Sequence, residues 1–355
     1  MTVVVFGGYG TFGAHAARAL AAAGVSLRIA GRNEARAKSF AASLGEGHEG
    51  IAADAADLAS ARRALEGARV AVSCAGPFSA LPLTLPQACL DAGVHYVDIA
   101  DDRGWLARLR ESDGRFRALG LAAACGCSSL PGISGALALL AAERLPAVRR
   151  ARVTLFIGNR NPKGDAAVRS AAAQLGRTFP SPQGPLVGLR GKETVRLPEP
   201  FGVRAVYDWD SPELDLFPDL LGVREVRVKV GFESRFATRA FAALARLGPS
   251  LGPRLVPLLA ALGRPLSGFG HSGGFVQVEL FAPDGASVTT SLGGAADGQR
   301  MAALPAALVA SGLLDGTVAA RGVVTAFEAM GARRLIDGLT AAGYAWRQLP
   351  PEPDY

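Results

Sequence analysis

The stretch Gly7-Gly8-Tyr9-Gly10-Thr11-Phe12-Gly13 decides the fold of this chain, because it joins the apolar run Val3–Phe6 to an alanine-rich segment with helical spacing. Gly8, Gly10 and Gly13 satisfy the pattern GxGxxG. In that pattern the first glycine makes a tight turn, the second lets the backbone approach a pyrophosphate, and the third lets the helix pack on the strand. The stretch, Gly7 included, therefore predicts a dinucleotide site at a helix N-terminus, where free N–H groups and the helix dipole favour anions.

The turn after the second predicted strand indicates which nicotinamide cofactor binds. NAD-binding proteins place an acidic residue about 20 positions after the glycines, where it holds a ribose hydroxyl. Here the strand Ser26–Ala30 leads instead into Gly31-Arg32-Asn33. The Arg32 guanidinium suits a 2′-phosphate, which a carboxylate would repel, so NADP is predicted, with Arg32 and Asn33 in its site. The alternative is that Arg32 is an ordinary solvated arginine.

Composition limits the classes of protein. With 355 residues and 49% hydrophobic content, two domains are expected. The net charge of +7 comes from 38 basic residues against 31 acidic ones, and the arginines are scattered, so no nucleic-acid partner is predicted. The four cysteines, at positions 74, 89, 125 and 127, lack zinc or disulfide spacing, so no metal is predicted. The first strand begins at once, which predicts a cytoplasmic protein without a signal peptide.

The segment Phe236–Phe269 is the part of the chain that comes closest to a membrane span. It is rich in leucine, alanine and proline, but arginines recur along it, and no window of the chain reaches the length and apolarity of a spanning helix. No integral membrane segment is therefore predicted. The segment fits either a helical hairpin packed on the body or an amphipathic surface in peripheral contact with lipid; prolines within it favour packing.

The first 130 residues alternate short apolar strands with helical patterns, which predicts an α/β Rossmann domain with a doubly wound parallel sheet. Ligands of such sheets bind beyond the carboxyl ends of the strands. Three segments are expected to converge there: Ala75–Ser79, Asp98–Arg103 and Ser128–Gly132. Asp54, at the end of the third strand, either contacts the adenine edge or caps its loop.

Residues 131–320 are predicted to form a second, α+β domain with a mixed, largely antiparallel sheet, and residues 321–355 to hold helices that pack back on the first domain. Alternating patterns mark strands at 153–157, 226–230 and 275–281, and the last leads into a hairpin turn at Ala282–Gly285. Pro180–Pro218 is interpreted as irregular loop. Helices are predicted at 299–311, 322–330 and 333–342, followed by a frayed tail at 350–355.

Five segments of the first domain together resemble the saccharopine dehydrogenase-like NADP-binding oxidoreductases: GGYGTFG, AGRN, VSCAGPFS, QACLDAGVHYVDIADD and CSSLPG. Gly158–Gly164 and Gly268–Gly274 also resemble segments of bacterial members. The resemblance implies a Rossmann domain that binds NAD(P) and a second domain that covers the cofactor and mediates dimerisation, hence a homodimer. It carries cofactor contacts over to Gly8, Gly10, Thr11, Phe12, Gly13 and Arg32, and to the turn Cys74-Ala75-Gly76-Pro77, which continues into Phe78. Where relatives often have glycine and glutamate after Asp98, this chain has Asp101-Asp102.

Reduction of a small metabolite by NADPH needs a group that manages the proton, and the type of group depends on the substrate. A carboxylate such as Asp98, Asp101 or Asp102 would stabilise the cation of an imine, whereas a ketone or enone needs a donor near oxygen. His95, Tyr96 and His271 are the candidates for that donor, and His271 is preferred because a glycine-rich loop surrounds it. Asp102 has the alternative role of a helix cap.

Asn159, Arg160 and Lys163 follow the first strand of the second domain. They are interpreted as holding a substrate carboxylate, Arg160 above all, although a turn built on Pro162 is the alternative.

Three functions follow. The first is an NADP-dependent oxidoreductase acting on C=N or C=O; the second is a reductase of a lipophilic or polyketide-like substrate with peripheral membrane association; the third is a non-catalytic NADP-binding regulatory protein.

Overall fold

The computed structural model describes residues 2–162, 165–251, 253–255, 257, 268–349 and 352–353. The chain forms two compact units, one from Met1–Ile133 with Gln299–Leu339 and the other from Ser134–Gly298 with Thr340–Tyr355. The sequence predicts limits at 130 and 320. The first limit lies within three residues of the prediction, while the chain returns to the first unit earlier than predicted, at Gln299.

Strands occur throughout both units. In chain order they are β1 Thr2–Phe6, β2 Ser26–Gly31, β3 Glu49–Ala52, β4 Ala68–Ser73, β5 His95–Asp98, β6 Ala122–Cys125, β7 Arg150–Ile157, β8 Thr178–Phe179, β9 Leu186–Val187, β10 Glu193–Arg196, β11 Val203–Asp208, β12 Glu225–Phe232, β13 Gly274–Phe281, β14 Ala286–Gly294, β15 Gly322–Thr325, β16 Ala345–Gln348 and β17 Glu352–Pro353.

Helices connect the strands. In the described ranges they are α1 Gly13–Ala22, α2 Glu34–Leu44, α3 Leu58–Leu65, α4 Thr84–Ala92, α5 Arg103–Arg110, α6 Asp113–Ala118, α7 Ser134–Ala142, α8 Asp165–Gln174, α9 Glu213–Leu221, α10 Arg235–Arg246, α11 Gly248–Leu251, α12 Gly298–Asp315, α13 Ala326–Met330 and α14 Ala332–Ala341.

The first unit is built on a parallel sheet with the strand order β15-β6-β5-β4-β1-β2-β3. The order reverses between β1 and β4, which is the switch point of a doubly wound fold. Central strands β1 and β4 are almost wholly buried. The predicted Rossmann architecture is confirmed.

One helix prediction in the first unit is wrong. The sequence predicts a helix over 322–330, but Gly322–Thr325 is strand β15, which pairs in parallel with β6 and extends the sheet. The β-branched run Val323-Val324-Thr325 suits a strand, and helix α13 begins only after Thr325. Thr325 caps that helix in a capping box with Glu328.

The second unit is built on a mixed sheet with the order β10-β11-β12-β7-β13-β14-β16, and β17 pairs with β14. Only β12 and β7 run parallel; the other pairs are antiparallel. The predicted strands at 153–157, 226–230 and 275–281 and the hairpin turn at Ala282–Gly285 are confirmed. Gly285 takes the positive φ of +85° that this turn needs.

Two loop predictions in the second unit are wrong. Within Pro180–Pro218 the structure has strands β10 and β11, which form an antiparallel pair, and the start of helix α9. The proline and glycine content suggests a loop and obscures the apolar residues of this strand pair and its turn. These residues pack against β7 and β13 in a buried cluster of Phe156, Val195, Leu197, Phe201, Val206 and Phe275. In the predicted frayed tail, Glu352–Pro353 pairs with Ala286–Ser287, while 350–351 and 354–355 lie outside the described residues.

Alternating charges cross the second sheet. Lys229 of β12 is only 1% exposed, and its Nζ lies 2.6 Å from Glu193 and 2.7 Å from Asp208. Arg152 of β7 lies 3.0 Å from Glu193 and 2.6 Å from Glu279. The buried Lys229 and the partly buried Arg152 therefore each have two carboxylate partners, which offsets the cost of removing their charges from water.

The segment Phe236–Phe269 is only partly described, because 252, 256 and 258–267, with Arg264 among them, lie outside the described residues. Its first part is the amphipathic helix α10, which buries Leu244 and Ala245 and leaves Phe236 exposed; Leu247, directly after the helix, is exposed as well. No helix among the described residues has the length and apolarity needed to cross a membrane.

Candidate functional site

The glycine loop between β1 and α1 holds its shape through backbone contacts. Gly7 has a φ of +71°, and the Gly10 amide donates to the Gly7 carbonyl at 2.9 Å. A Cβ on Gly13 would lie 2.2 Å from the Gly7 oxygen, so this position admits only glycine. Among the described residues no side chain caps the first turn of α1. The Ala14 and His15 amides donate to the Gly10 and Phe12 carbonyls, so the loop amides that precede them are the ones left to a phosphate. The loop therefore fits a dinucleotide pyrophosphate.

Tyr9 fastens the glycine loop to the turn after β2. Its hydroxyl accepts a hydrogen bond from the Asn33 amide at 3.0 Å, and its ring lies against Gly31, where a Cβ would approach it to 2.4 Å. Asn33 in turn caps α2, since its Oδ1 accepts from the Arg36 amide at 3.0 Å. The Arg32 position is therefore fixed relative to the pyrophosphate loop.

Two cations lie at this turn. Arg32 is exposed and makes no side-chain hydrogen bond or ion pair with any residue that the structure describes. The guanidinium of Arg36 lies 4.7 Å from the centre of the Tyr9 ring, in a cation–π contact. Sequence reasoning missed Arg36; its position in the first turn of the helix after Arg32 is the signal that points to it.

The turn Cys74–Pro77, to which the resemblance assigns cofactor contacts, lies beside the glycine loop. The Cys74 amide donates to the Phe6 carbonyl at 2.9 Å, and a Cβ on Gly7 would meet Cys74 and Ala75 backbone atoms at 3.0 Å. Burial, and after it the charge of Asp98, raises the pKa of the Cys74 thiol to about 12. The thiol therefore stays protonated and is not a nucleophile.

The other members of this region have mainly local partners. Phe78 is buried, with its ring 5.3 Å from that of Trp105. Asp54 Oδ1 accepts from the Ala56 amide at 2.9 Å, which is the loop-capping alternative for that residue. Contact of Asp54, Gly76, Pro77 and Phe78 with the cofactor stays a prediction.

Asp98 is fully buried at the end of β5. Its Oδ1 accepts from the Ala100 and Gly126 amides at 3.0 and 2.8 Å, and its Oδ2 accepts from Trp105 Nε1 at 2.7 Å. Burial raises the pKa of this carboxyl, although those hydrogen bonds oppose the rise. Both oxygens are thus committed to tying β5 to the segments around it.

Asp102 takes the cap position that the sequence offers as its alternative. Its Oδ1 accepts from the Trp105 amide at 2.7 Å at the start of α5. Asp101 is exposed. Among Asp98, Asp101 and Asp102, Asp101 is therefore the carboxyl that faces solvent and caps no helix in the described residues.

His95 and Tyr96 lie inside the first unit. The His95 Nδ1 accepts from the Ala122 amide at 3.0 Å, which requires a neutral ring. Burial, with repulsion from Arg321 and Arg69, lowers the pKa of His95 to about 4. The Tyr96 side chain is fully buried, and burial and the charge of Asp98 raise its pKa well above the ordinary value. Neither residue presents a proton to a substrate at neutral pH.

His271 of the second unit has a different environment. Its side chain is 39% exposed, and its Nδ1 lies 2.6 Å from Glu233 Oε1. Glu233 Oε2 accepts from the backbone amides of Asn159 and His271 at 2.9 and 2.8 Å. The pair therefore lies where β7 and β12 end and β13 begins. Sequence reasoning missed Glu233, because a glutamate at the end of a strand carries no local signal of function.

The Asn159-Arg160-Asn161 segment supports this pair through its backbone. The Arg160 amide donates to the His271 carbonyl at 2.8 Å, and Asn161 Nδ2 donates to the Gly158 and Gly273 carbonyls at 3.0 and 2.7 Å. The Arg160 side chain is exposed. A contact between Arg160 and substrate stays a prediction, and Lys163 lies outside the described residues.

Comparison with protein families gives one match within the chain. Residues 3–114 match the family model described as Saccharopine dehydrogenase NADP binding domain. The matched region contains the glycine loop, the Arg32 turn and the Cys74 turn. NADP is the cofactor of this domain family. Among curated proteins, no relative matches the sequence.

Comparison with solved structures gives a match along the whole chain. The apo form of histidine-tagged saccharopine dehydrogenase (L-Glu forming) from Saccharomyces cerevisiae matches with a TM-score of 0.69 and 14% identity, covering 98% of this chain and 99% of that one. At this identity the match shows the fold, two units included.

Other solved structures match over a smaller share of the chain. A short-chain type dehydrogenase/reductase from Mycobacterium ulcerans has a TM-score of 0.31 and 17% identity, covering 35% of this chain and 65% of that one. Sorbitol-6-phosphate 2-dehydrogenase from Erwinia amylovora has a TM-score of 0.29 and 18% identity, covering 35% and 69%.

Proposed function

We propose that this saccharopine dehydrogenase-like protein, whose NADP-binding domain spans residues 3–114, is an oxidoreductase that transfers hydride between NADP(H) and a C=N or C=O group of a small metabolite. When bound, the cofactor supplies or accepts the hydride. The protein's task is to bind it, to place the substrate and to manage the proton.

The glycine loop is the observation that carries this proposal. Its backbone approaches so closely that a Cβ on Gly13 would lie 2.2 Å from the Gly7 oxygen. No side chain caps the first turn of α1 among the described residues, so the loop amides before Ala14 can donate to a diphosphate. The exposed Arg32, fixed beside that loop by Tyr9 and Asn33, is the group we assign to the 2′-phosphate.

Substitution of Arg32 tests the cofactor assignment. Arg32→Asp replaces a bidentate donor with a repelling charge, so we expect NADPH to bind about 100-fold more weakly, the equivalent of one charged hydrogen bond, while NADH binding changes less than about threefold. Nicotinamide fluorescence gives both dissociation constants. Arg63→Asp, at an exposed position of α3, is the matched control.

Two outcomes would contradict the proposal. Equal loss of NADPH and NADH affinity in Arg32→Asp would remove the assigned role of Arg32. If the unaltered protein bound neither nucleotide, the oxidoreductase proposal itself would fail. We also propose that the protein is cytoplasmic and forms a homodimer. Sedimentation of the purified protein measures its oligomeric state directly.

One observation favours a lipophilic substrate as the second candidate. On α10 the exposed face combines Phe236 with Arg235, Arg239 and Arg246, and Leu247 follows it. Apolar side chains among arginines suit an anionic lipid surface. Sedimentation with vesicles of phosphatidylglycerol tests this candidate, since binding that Phe236→Ser and Leu247→Ser together abolish would support it.

A further inference from the structure

We infer that the hydroxyl of Tyr9 donates a hydrogen bond to the 2′-phosphate of NADP, beside Arg32 and Arg36, and thereby helps to set the preference for NADPH over NADH. The inference rests on the proposed function, because it concerns the cofactor of that function. It adds a specificity-determining residue to the nucleotide site, and all three residues belong to the first unit.

The Tyr9 ring has two contacts that fix its position. A Cβ on Gly31 would lie 2.4 Å from Tyr9 Cε1 and 2.7 Å from the hydroxyl oxygen, so the ring lies directly against the end of β2. The Arg36 guanidinium, in the first turn of α2, lies 4.7 Å from the ring centre. The hydroxyl is therefore held at the turn between β2 and α2 before any ligand binds.

The Tyr9 hydroxyl keeps one hydrogen-bond donor for a ligand. Its oxygen accepts from the Asn33 amide at 3.0 Å. A phenolic hydroxyl also donates one hydrogen bond, and no acceptor for that hydrogen lies among the residues that the structure describes. Tyr9 is half-buried and Asn33 is exposed, so a ligand at the turn can reach the hydroxyl.

The turn around this hydroxyl carries positive charge. Arg32 and Arg36 are both exposed, and neither forms an ion pair with a residue in the described part of the chain. Glu34, which lies between them in the sequence, pairs with Lys38 at 2.7 Å. Two guanidinium groups are thus left for an anion beside a neutral hydroxyl donor.

This set of donors suits a phosphomonoester. At neutral pH a phosphomonoester carries close to two negative charges and three strong acceptor oxygens. An arginine can pair with two of these oxygens at once, which leaves the third for a hydroxyl. The 2′-phosphate is the phosphomonoester that NADP has and NAD lacks. The pyrophosphate is a diester, and the amides of the glycine loop serve it.

The ring contacts explain an aromatic residue at position 9 but not its hydroxyl. Packing on Gly31 and the cation–π contact with Arg36 use the ring, so phenylalanine would keep both. Water can replace the hydroxyl at the exposed Asn33 amide. Tyr9→Phe therefore removes the donor and leaves the packing of the turn in place.

Binding of two nicotinamide-free fragments to the full chain is the first measurement. The fragments are 2′-phospho-ADP-ribose and ADP-ribose, which differ by the 2′-phosphate alone. By calorimetric titration at neutral pH and fixed salt, we expect Tyr9→Phe to bind 2′-phospho-ADP-ribose about tenfold more weakly, as loss of one charged hydrogen bond does, and ADP-ribose less than about twofold more weakly. Tyr344→Phe is the matched control, because it loses a hydroxyl hydrogen bond to the Asp297 carbonyl in the second unit. It should bind both fragments normally.

A double-mutant cycle is the second measurement. If Tyr9 and Arg32 bind the same phosphate, the hydroxyl loses its acceptor once Arg32 is replaced. We expect Tyr9→Phe to lower NADPH affinity about tenfold in the unaltered protein but less than about twofold in Arg32→Asp. A hydroxyl that serves only the structure of the turn would give the same loss in both proteins.

Failure of this inference is distinguishable from failure of the proposed function. If the unaltered protein binds neither NADPH nor 2′-phospho-ADP-ribose, the proposed function fails. If it binds both, three results overturn only the role of Tyr9. These are an unchanged affinity in Tyr9→Phe, an equal loss for the two fragments, which would assign the hydroxyl to the turn or the pyrophosphate, and equal losses in the two halves of the cycle.

Discussion

The glycine loop of the first unit and the Glu233–His271 pair of the second are built in different ways. The loop is one run of seven residues whose backbone atoms form the site, and its geometry depends on the absence of side chains. The pair joins side chains that are 38 residues apart and takes a third segment, at Asn159, to hold them.

The difference shows what each site depends on. A backbone site needs only a local conformation, which glycine spacing specifies within a few residues. A side-chain site needs three strand ends to meet, so it depends on the register of β7, β12 and β13 in a mixed sheet. We therefore expect damage to the loop to act on nucleotide binding alone, and damage to the second sheet to act on the pair.

Gly13→Val tests the backbone site and has the largest expected effect. The added side chain collides with Gly7, so NADPH binding should fall below detection while the His271 tautomer is unchanged. Calorimetric titration measures NADPH binding, and long-range ¹H–¹⁵N correlation of the His271 ring in the labelled protein reports its tautomer. Gly114→Ala, where an added Cβ meets nothing within 4 Å, is the control and should bind NADPH normally. Normal NADPH binding by Gly13→Val would show that the loop is not the site.

Lys229→Met tests whether the buried ion pairs of the second sheet stabilise the unit that carries the Glu233–His271 pair. Removing this buried cation leaves Asp208 without its partner, and breaking such a pair costs about 3–5 kcal/mol of unfolding free energy. Urea unfolding should show the loss in the second unit, with NADPH affinity retained. Lys192→Met, at an exposed position, is the control. An equal loss of unfolding free energy in Lys192→Met would show that the buried ion pairs of Lys229 are not the cause.

Substitution of the buried His95 tests how the unfolding free energy of the first unit depends on pH. Its folded pKa of about 4 lies below its ordinary value of 6.5, so the unfolded state binds the proton more tightly between those values. Stability is therefore full above pH 6.5 and is lost as the pH falls toward 4, by about 2 kcal/mol between pH 7 and pH 5. His95→Asn should lack this part of the pH dependence in urea unfolding, and an identical dependence would contradict the assignment.

Arg36→Met has the smallest expected effect. An exposed cation beside the 2′-phosphate contributes up to about 1 kcal/mol, so NADPH should bind roughly fivefold more weakly and NADH equally well. Fluorescence titration measures both, with Arg63→Met as control. A loss that is the same for the two nucleotides would assign Arg36 to the fold of the turn, through its contact with Tyr9, rather than to the phosphate.

Much of the first unit is predictable because its signals are local. The alternation of parallel strands with helices and the place of Arg32 after β2 follow from apolar runs and glycine spacing. The errors arise where tertiary contacts override local signals. Gly322–Thr325 becomes a strand because β6 offers a parallel neighbour, and the proline-rich 193–208 becomes a hairpin because Phe201 and Val206 bury against Phe156 and Phe275.

The candidate catalytic residues also differ in how far the sequence predicts them. His271 is predictable from its glycine-rich surroundings, whereas Glu233 is a strand-end glutamate without a local signal of function. Asp98 is attractive in the sequence, and only its burial, with three hydrogen bonds on its carboxylate, reveals that it ties segments together.

The sequence alone determined the dinucleotide fold and predicted NADP as the cofactor, since both signals come from residues that are neighbours along the chain. Only the tertiary structure decided which ionisable groups are buried and which ring nitrogen faces outward. The physical reason is that burial and hydrogen-bond partners come from segments far apart in the chain, and these set the protonation state of each candidate.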